Sequence, residues 1–214
     1  MLDAEPSPRL PELVSDGAGL PFPPAALAPG APPLDELEPA AAALLAHLRQ
    51  LAQRGPRGSA PPTLAGWRTL ARADGEALFG IGAPEQLVTV SMRLDPRRQS
   101  WSAVSASQGR PPRAVREGIR ASAWRADPEQ PAGPADTVLR VLVTEQTFAG
   151  GQLARGRILP PEVFLGDDEL VMRIFVRPRP GYQAGSRNPE TPVRVALPEP
   201  LGSRRLIDGA QLLR

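Results

Sequence analysis

Proline and glycine interrupt this chain so often that long regular elements cannot form. The 214 residues include 28 prolines and 20 glycines. Proline removes a backbone donor and fixes φ, and glycine is common in turns, so both tend to end helices and strands. Hydrophobic residues still make up 41% of the chain, which suffices for a core. The composition therefore predicts a globular body built from short strands and many turns.

Residues 1–34 are predicted to be a disordered, acidic, proline-rich arm. The segment contains nine prolines and shows little hydrophobic periodicity. Such a segment can form neither a helix nor a strand ladder, and it favours polyproline II or disorder. The arm would then serve as a tether or a docking peptide, or it would be a solvated tail.

After the arm, residues 35–56 are predicted to contain one amphipathic helix, regular over 35–54. Asp35 can cap the first turn, and Glu38 follows three residues later, as in a capping box. Four leucines, here called the leucine stripe, share one face and form the predicted interaction surface of the helix: Leu37, Leu44, Leu48 and Leu51. Residues 55–64 would end the helix as a linker.

Residues 65–208 are predicted to form a mainly β body, because the hydrophobic period changes to two. The predicted strands cover residues 67–73, 76–81, 86–95, 101–107, 119–125, 137–147, 169–177 and 193–197. Strands do not alternate with helices, so an antiparallel sandwich or curved sheets are expected rather than a parallel sheet. If the body divides, the stretch 126–136 would join two subdomains, 65–126 and 137–208.

The sequence predicts no catalytic residue, metal ligand or cofactor. It contains no cysteine, which excludes disulfides, thiolate metal sites and cysteine nucleophiles. Its single histidine, His47, lies on the predicted helix, and the chain has no G-x-S-x-G nucleophile elbow. The acidic triplet 167–169 lacks the pattern of a calcium loop. The sequence does not decide whether the protein is an enzyme, although these absences favour a protein without enzymatic activity.

The beginning of the chain favours a cytoplasmic location. The residues M-L-D-A-E-P carry acids where a signal peptide carries bases. Apolar runs stay well below the roughly 18 residues that a membrane span needs. We therefore expect a soluble cytoplasmic protein with no membrane partner.

The charge of the chain supports nucleic-acid binding only weakly. The net charge is +2, and all 25 basic residues are arginine. The isoelectric point near 10.2 therefore reflects a shortage of groups that titrate above neutral pH, not a strong positive field. The first 40 residues contain seven acids and one arginine, whereas the rest contains 24 arginines and 16 acids. An acidic arm thus precedes a basic body.

Several stretches carry a resemblance to other proteins. They are V-L-V-T-E-Q-T-F-A-G-G-Q, G-R-I-L-P-P-E-V and N-P-E-T-P-V-R-V-A-L-P-E-P-L-G-S-R-R-L-I-D-G, with a weaker echo in G-R-P-P-R-A-V-R-E-G-I. Together they resemble a loosely defined group of uncharacterised actinobacterial proteins, often secreted or lipid-anchored. Many members have cysteines near the places of Thr147 and of the 183–186 loop. The resemblance implies a shared fold without a known activity. This chain lacks those cysteines and an export signal, and this departure indicates an intracellular relative whose loop is held by packing instead of a disulfide.

Glu145 is the acidic residue whose predicted position suggests a site. It continues the inward register of the strand at 137–147, so its carboxylate would face the core or a cavity rim. Three arginines of neighbouring strands are its predicted partners: Arg173, Arg177 and Arg194. The pair would be a structural ion pair, or Glu145 would be a binding or acid/base carboxylate. A glycosidase-like pair would need a second acid, such as Glu162 or Glu190.

A second predicted binding surface consists of arginines. Four of them recur every three or four residues and would share one face of a helical turn: Arg110, Arg113, Arg116 and Arg120. Such a face could hold phosphate or carboxylate, or it could be solvated charge. The aromatic content of 4% argues against a stacking platform for single-stranded nucleic acid.

The stretch N-P-E-T-P at 188–192 is predicted to be a structural corner and not a site. Pro189 and Pro192 fix φ and remove donors, and an asparagine before proline favours turn initiation.

Three functions stay open from the sequence. The first is a non-enzymatic interaction or structural protein, in which the arm or the helix docks on a protein partner or on a second copy. The second is a binder of an anionic ligand or nucleic acid through the arginine clusters. The third is a hydrolase that uses Glu145.

Overall fold

A computed structural model describes residues 10–30, 32–54, 62–147, 149–181 and 188–212. These residues form mainly β structure in several sheets with one α-helix, which confirms the predicted fold class. The chain divides into two compact units, each described by itself below. The first unit is built on Glu12–Pro112, and the second unit is built on Arg113–Gln211. The predicted joining stretch at 126–136 therefore lies inside the second unit.

The first unit consists of a four-stranded sheet, one helix and the segment before that helix. Its elements are β1 (Val14–Ser15), α1 (Pro39–Arg54), β2 (Arg68–Ala73), β3 (Glu76–Ile81), β4 (Val88–Asp95) and β5 (Ser100–Gln108), with 3₁₀ turns at Pro24–Leu27 and Pro84–Gln86. Strands β2 to β5 pair antiparallel in chain order; alternation predicted these strands but not their order. Gly75, with a φ of 71°, makes the tight turn between β2 and β3.

Helix α1 begins four residues later than predicted, because Glu38 and not Asp35 caps it. The Glu38 carboxylate accepts hydrogen bonds from the backbone N–H groups of Ala40 and Ala41, at 3.1 and 2.9 Å. Pro39 fits the first helical position, where a missing N–H costs nothing. Asp35 instead accepts from the N–H of Leu37 at 2.9 Å, in the turn before the helix.

The leucine stripe does not form one exposed surface. Leu44 is fully buried in the core between α1 and the sheet, and Leu48 packs against the same core. Leu37 precedes the helix and is 89% exposed, whereas Leu51 is 50% exposed. The central leucines of the helix therefore pack against the sheet of the same unit, and Leu44 is not accessible to a partner. Of the predicted linker at 55–64, residues 55–61 lie outside the described residues, and Leu64 is buried in the core of this unit.

The other face of the sheet is covered by part of the predicted arm, which corrects its extent. Val14 and Phe22 are fully buried against Leu78 and neighbouring side chains of the sheet. Gly19 allows this close approach, since a Cβ there would lie 2.8 Å from Leu78 Cδ1. The predicted disorder therefore does not extend over residues 14–27, because these apolar side chains fill a sheet face that would otherwise meet water. Residues 1–9 and 31 lie outside the described part.

The second unit contains two three-stranded sheets and a hairpin. Its strands are β6 (Arg113–Arg116), β7 (Ile119–Arg120), β8 (Ala123–Ala126), β9 (Val138–Thr144), β10 (Glu162–Leu165), β11 (Glu169–Arg173), β12 (Thr191–Ala196) and β13 (Arg205–Asp208). One sheet has the order β12-β9-β8 and is antiparallel. The other has the order β10-β11-β13, and its β11–β13 pair is parallel, unlike the antiparallel pairing expected throughout. Strands β6, β10 and β13 were not predicted.

The inner faces of these two sheets share one core. Leu139, Val141 and Val143 of β9 are each at most 1% exposed and pack in one cluster with Leu170 and Met172 of β11. The inward register predicted for β9 is therefore correct. The strand ends at Thr144, so Glu145 follows directly after it.

Candidate functional site

Glu145 forms a buried ion pair at the end of β9. Its side chain is 4% exposed, and both carboxylate oxygens are bound by the guanidinium of Arg157. The distance from Arg157 Nη1 to Glu145 Oε1 is 2.6 Å. The same Nη1 donates to the carbonyl of Arg177 at 2.7 Å. Such a bidentate pair saturates the carboxylate and ties the loop after β9 to a neighbouring segment.

The partner of Glu145 is therefore not one of the three predicted arginines. Arg173 pairs with Glu162 at 3.4 Å. Arg177 is exposed and contributes its carbonyl oxygen. Arg194 lies on the outer face of its sheet, because it pairs with Arg140, whose neighbours in β9 point inward. The true partner, Arg157, lies in a connection between strands, where no periodicity indicates the direction of a side chain.

The N-P-E-T-P stretch leads into the edge strand β12, which begins at Thr191 and includes Pro192. The side-chain amide of Asn188 donates to the carbonyls of Glu145 and Thr147, at 3.0 and 2.6 Å. Its oxygen accepts from the N–H of Ala149 at 2.9 Å. Asn188 therefore anchors the chain that leaves β9. The 183–186 loop, which the resemblance predicts to be held by packing, lies outside the described residues.

The four arginines predicted on one helical face lie instead on and around the β6–β7 hairpin. Glu117 and Gly118, with φ of 51° and 75°, reverse the chain between these strands, so the helical spacing does not apply. Arg110 precedes the hairpin and is exposed. Arg120 donates to the side-chain oxygen of Gln146 at 3.0 Å. The alternative of a single cationic helix face is therefore wrong.

Arg113 and Arg116 have structural partners. Arg113 is 4% exposed, donates to the carbonyls of Ala121 and Ser122, and pairs with Asp208 at 2.7 Å. Arg116 pairs with Glu162 at 3.0 Å, and its guanidinium lies 4.6 Å from the centroid of the Phe175 ring.

The predicted second acids are also bound by arginines. Glu162 lies between Arg116 and Arg173. Glu190 binds Arg125 in a bidentate manner at 2.7 and 2.6 Å, and this hydrogen bonding raises the pKa of Arg125. Each candidate carboxylate thus has its own guanidinium. Within the described ranges, His, Asp and Glu residues do not gather in groups of three or more that could hold a metal ion.

A cavity of about 470 Å³ lies on the outer face of the sheet β12-β9-β8. Its lining residues are Gln130, Pro131, Ala132, Asp136, Val138, Arg140, Arg194 and Ala196. Arg140 and Arg194 are directly opposite each other on β9 and β12. Alternation places Arg140 on the polar face of β9, but its neighbour on β12 depends on the pairing of distant strands, which the sequence does not indicate.

A groove of about 630 Å³ lies beside the edge strand β5 in the first unit. The lining comes from one side of α1 and from the start of β5: Ala43, Ala46, His47, Arg49, Gln50, Gln53, Trp101, Ser102 and Ala103. His47 is half-buried there. Among the described residues, β5 pairs with β4 on one side and with no strand on the other.

Comparison of the chain with protein-family models, with curated proteins and with solved structures found no match. The resemblance to the actinobacterial group therefore stays a prediction. None of the helices in the described part of the chain is long and apolar enough to cross a membrane.

Proposed function

We propose that the protein is a non-enzymatic interaction protein that self-associates through the edge strand β5. The observation that carries this proposal is the composition of β5, a nine-residue strand with the sequence S-W-S-A-V-S-A-S-Q. It contains no charged residue and no proline, and six of its nine residues are exposed. Charge and proline are the usual means by which proteins prevent an edge strand from pairing.

The opposite edge of the same sheet carries charge. Strand β2 carries Arg68 and Arg72, and its pairing with β3 is interrupted by a bulge between Thr69 and Ala71. Strand β5 has one irregularity, opposite Ser91 and Met92 of β4, which leaves Val104 outside the regular register. Its remaining residues follow the antiparallel ladder with β4, and among the described residues no strand pairs with their other edge.

The occupant that we propose for this edge is the β5 strand of a second copy. Two identical strands related by a two-fold axis pair antiparallel, each facing its own sequence. A charged strand would repel its copy in such an arrangement, whereas an uncharged strand of serine and alanine does not. The small side chains of Ala43, Ala46 and Ala103 in the adjacent groove permit close approach beside the strand.

The other open functions have less support. Docking through the leucine stripe is weakened because Leu44 is fully buried. A hydrolase that uses Glu145 would need a carboxylate that Arg157 does not occupy. The cytoplasmic location predicted from the sequence remains part of this proposal.

The test is the molecular mass of the full-length protein in solution, measured by sedimentation velocity over a range of concentrations. We expect a dimer, and we expect Val104→Lys to shift it to monomer, because a half-exposed lysine on each β5 would face its copy. Leu51→Lys is the matched control, since Leu51 is 50% and Val104 48% exposed.

A wild-type protein that stays monomeric at every concentration would refute self-association through β5. A dimer that survives Val104→Lys but is lost in Leu51→Lys would also refute it and would support the leucine stripe instead.

A further inference from the structure

Two arginines of the second unit face each other, and neither forms an ion pair with a described residue. Arg140 of β9 and Arg194 of β12 are directly opposite in the antiparallel register. Side chains at such positions project from the same face of a sheet, and like charges there destabilise the pairing. Arg194 is exposed and Arg140 is half-buried, so both guanidinium groups can reach a ligand.

Other arginines of the same unit bind carboxylate groups within the protein. Arg125, on the adjacent strand β8, is bound by both oxygens of Glu190. Arg157 and Arg113 have carboxylate partners as well. In the described part of the chain, neither Arg140 nor Arg194 has a side-chain hydrogen bond or an ion pair. Within the described ranges, no carboxylate is thus in direct contact with either guanidinium.

The two arginines line a cavity that also has an apolar wall. The volume is about 470 Å³, within the ordinary range of small-molecule sites. Pro131, Ala132, Val138 and Ala196 supply apolar surface. The acidic residue of the lining is Asp136, whose Oδ2 accepts from the N–H of Gly133 at 2.7 Å. One carboxylate against two guanidinium groups leaves the cavity cationic.

We propose that this cavity binds a small organic anion whose carboxylate or phosphate group lies between Arg140 and Arg194. A guanidinium presents a planar fork of donors that matches either oxyanion, and its bonds to an ionised acceptor are strong. The bound anion would replace repulsion between the two arginines with attraction. The apolar part of the ligand would lie against the wall that contains Pro131 and Val138. This site is independent of self-association through β5.

The experiment is calorimetric titration of the full-length protein at constant ionic strength with phenyl phosphate and, separately, with inorganic phosphate. We expect phenyl phosphate to bind and to bind more tightly than phosphate, because only the former has an apolar part. Arg194→Gln is expected to weaken its binding about tenfold or more, since a charge-assisted bidentate contact is lost. Arg155→Gln, at another exposed arginine of the unit, is the matched control and should bind like wild type.

A measurement of the midpoint of thermal unfolding separates lost binding from lost folding. Without ligand, Arg194→Gln should unfold at the same or a higher temperature than wild type, because the like-charge pair is gone. Three results would overturn the proposal: no binding of phenyl phosphate, equal affinity for phosphate and phenyl phosphate, or equal loss in Arg194→Gln and Arg155→Gln. A single-stranded oligonucleotide that binds in the same assay and requires both Arg140 and Arg194 would replace the small ligand by a nucleic acid.

Discussion

The sheet that contains β9 has a buried ion pair on its inner side and, on its outer side, two arginines that form no ion pair with a described residue. On the inner side, Glu145 comes directly after the end of β9 and is buried, and Arg157 binds its carboxylate. On the outer side, Arg140 lies opposite Arg194, and the described residues give neither an acidic partner. A matched buried charge belongs to the architecture, because removing its partner is costly. Two like charges directly opposite each other repel, which raises the free energy of the unliganded protein, and both are available to a ligand.

The edges of the first sheet differ in a similar way. Strand β2 carries two arginines, whereas β5 carries no charge along nine residues, and the pairing of each strand has one irregularity. In both units, the groups that the fold leaves unpaired are those to which we assign function. Each prediction below alters one matched or one unmatched group.

The largest effect is expected from breaking the buried pair. Arg157→Leu leaves the carboxylate of Glu145 buried without a partner, so we expect the free energy of unfolding to fall by about 3 to 5 kcal/mol. Urea denaturation measures this change. The matched control is Arg125→Leu at the more exposed Glu190 pair, where solvent screens the charges and the expected loss is much smaller. Equal losses in the two variants would show that Glu145 and Arg157 do not act as a buried pair.

A smaller effect, of opposite sign, is expected at the unmatched pair. Arg194→Gln removes the like-charge contact with Arg140, so the free energy of unfolding should rise by about 0.2 to 1 kcal/mol at low salt. The gain should shrink as salt screens the repulsion. Urea denaturation at two salt concentrations measures both. A loss of stability that does not depend on salt would mean that the two guanidinium groups do not repel each other.

The smallest effect on stability is expected at the partly exposed ion pair of Arg72 and Glu38, whose contribution depends on pH. The hydrogen bond from Arg72 to Glu38 holds the pKa of that carboxyl below its ordinary value of 4.5. Because the folded pKa is depressed, the stabilisation is present above pH 4.5 and is lost as the pH falls through the lower folded pKa. Both side chains are partly exposed, so the effect should stay below about 1 kcal/mol.

The measurement is the difference in unfolding free energy between wild type and Glu38→Gln at neutral and at acidic pH. It should be positive near neutrality and smaller in acid. A difference that is constant with pH would contradict the role of the ionised carboxylate.

The sequence predicts the longer helix and strands better than the short strands and the irregular segments between them. Strand β3 is found at residues 76–81 as predicted, because alternation is a local property of the chain. Helix α1 reaches residue 54, the last described residue before the gap at 55–61. Strands β6, β10 and β13 have only four residues each, too few for a period to be recognised. The packing of Val14 and Phe22 was missed since the prolines around them indicate disorder.

The candidate sites were harder to predict, for a physical reason. Sequence alternation indicates which face a side chain takes, and it placed Glu145 correctly in the interior. It does not indicate which strands become neighbours. Arg140 and Arg194 are far apart in the chain, and only the β9–β12 register brings them together. Arg157 lies in an irregular connection, so its pairing with Glu145 follows from tertiary packing.

The pairing of β5 with a second copy is tested most directly by amide hydrogen exchange of the full-length protein at low and at high concentration. We predict that exchange in residues 100–108 slows as the concentration rises, because the edge amides of β5 become hydrogen-bonded. Exchange in the opposite edge strand, residues 68–73, should not change. Exchange in β5 that is independent of concentration, or that slows no more than in β2, would contradict self-association through this edge.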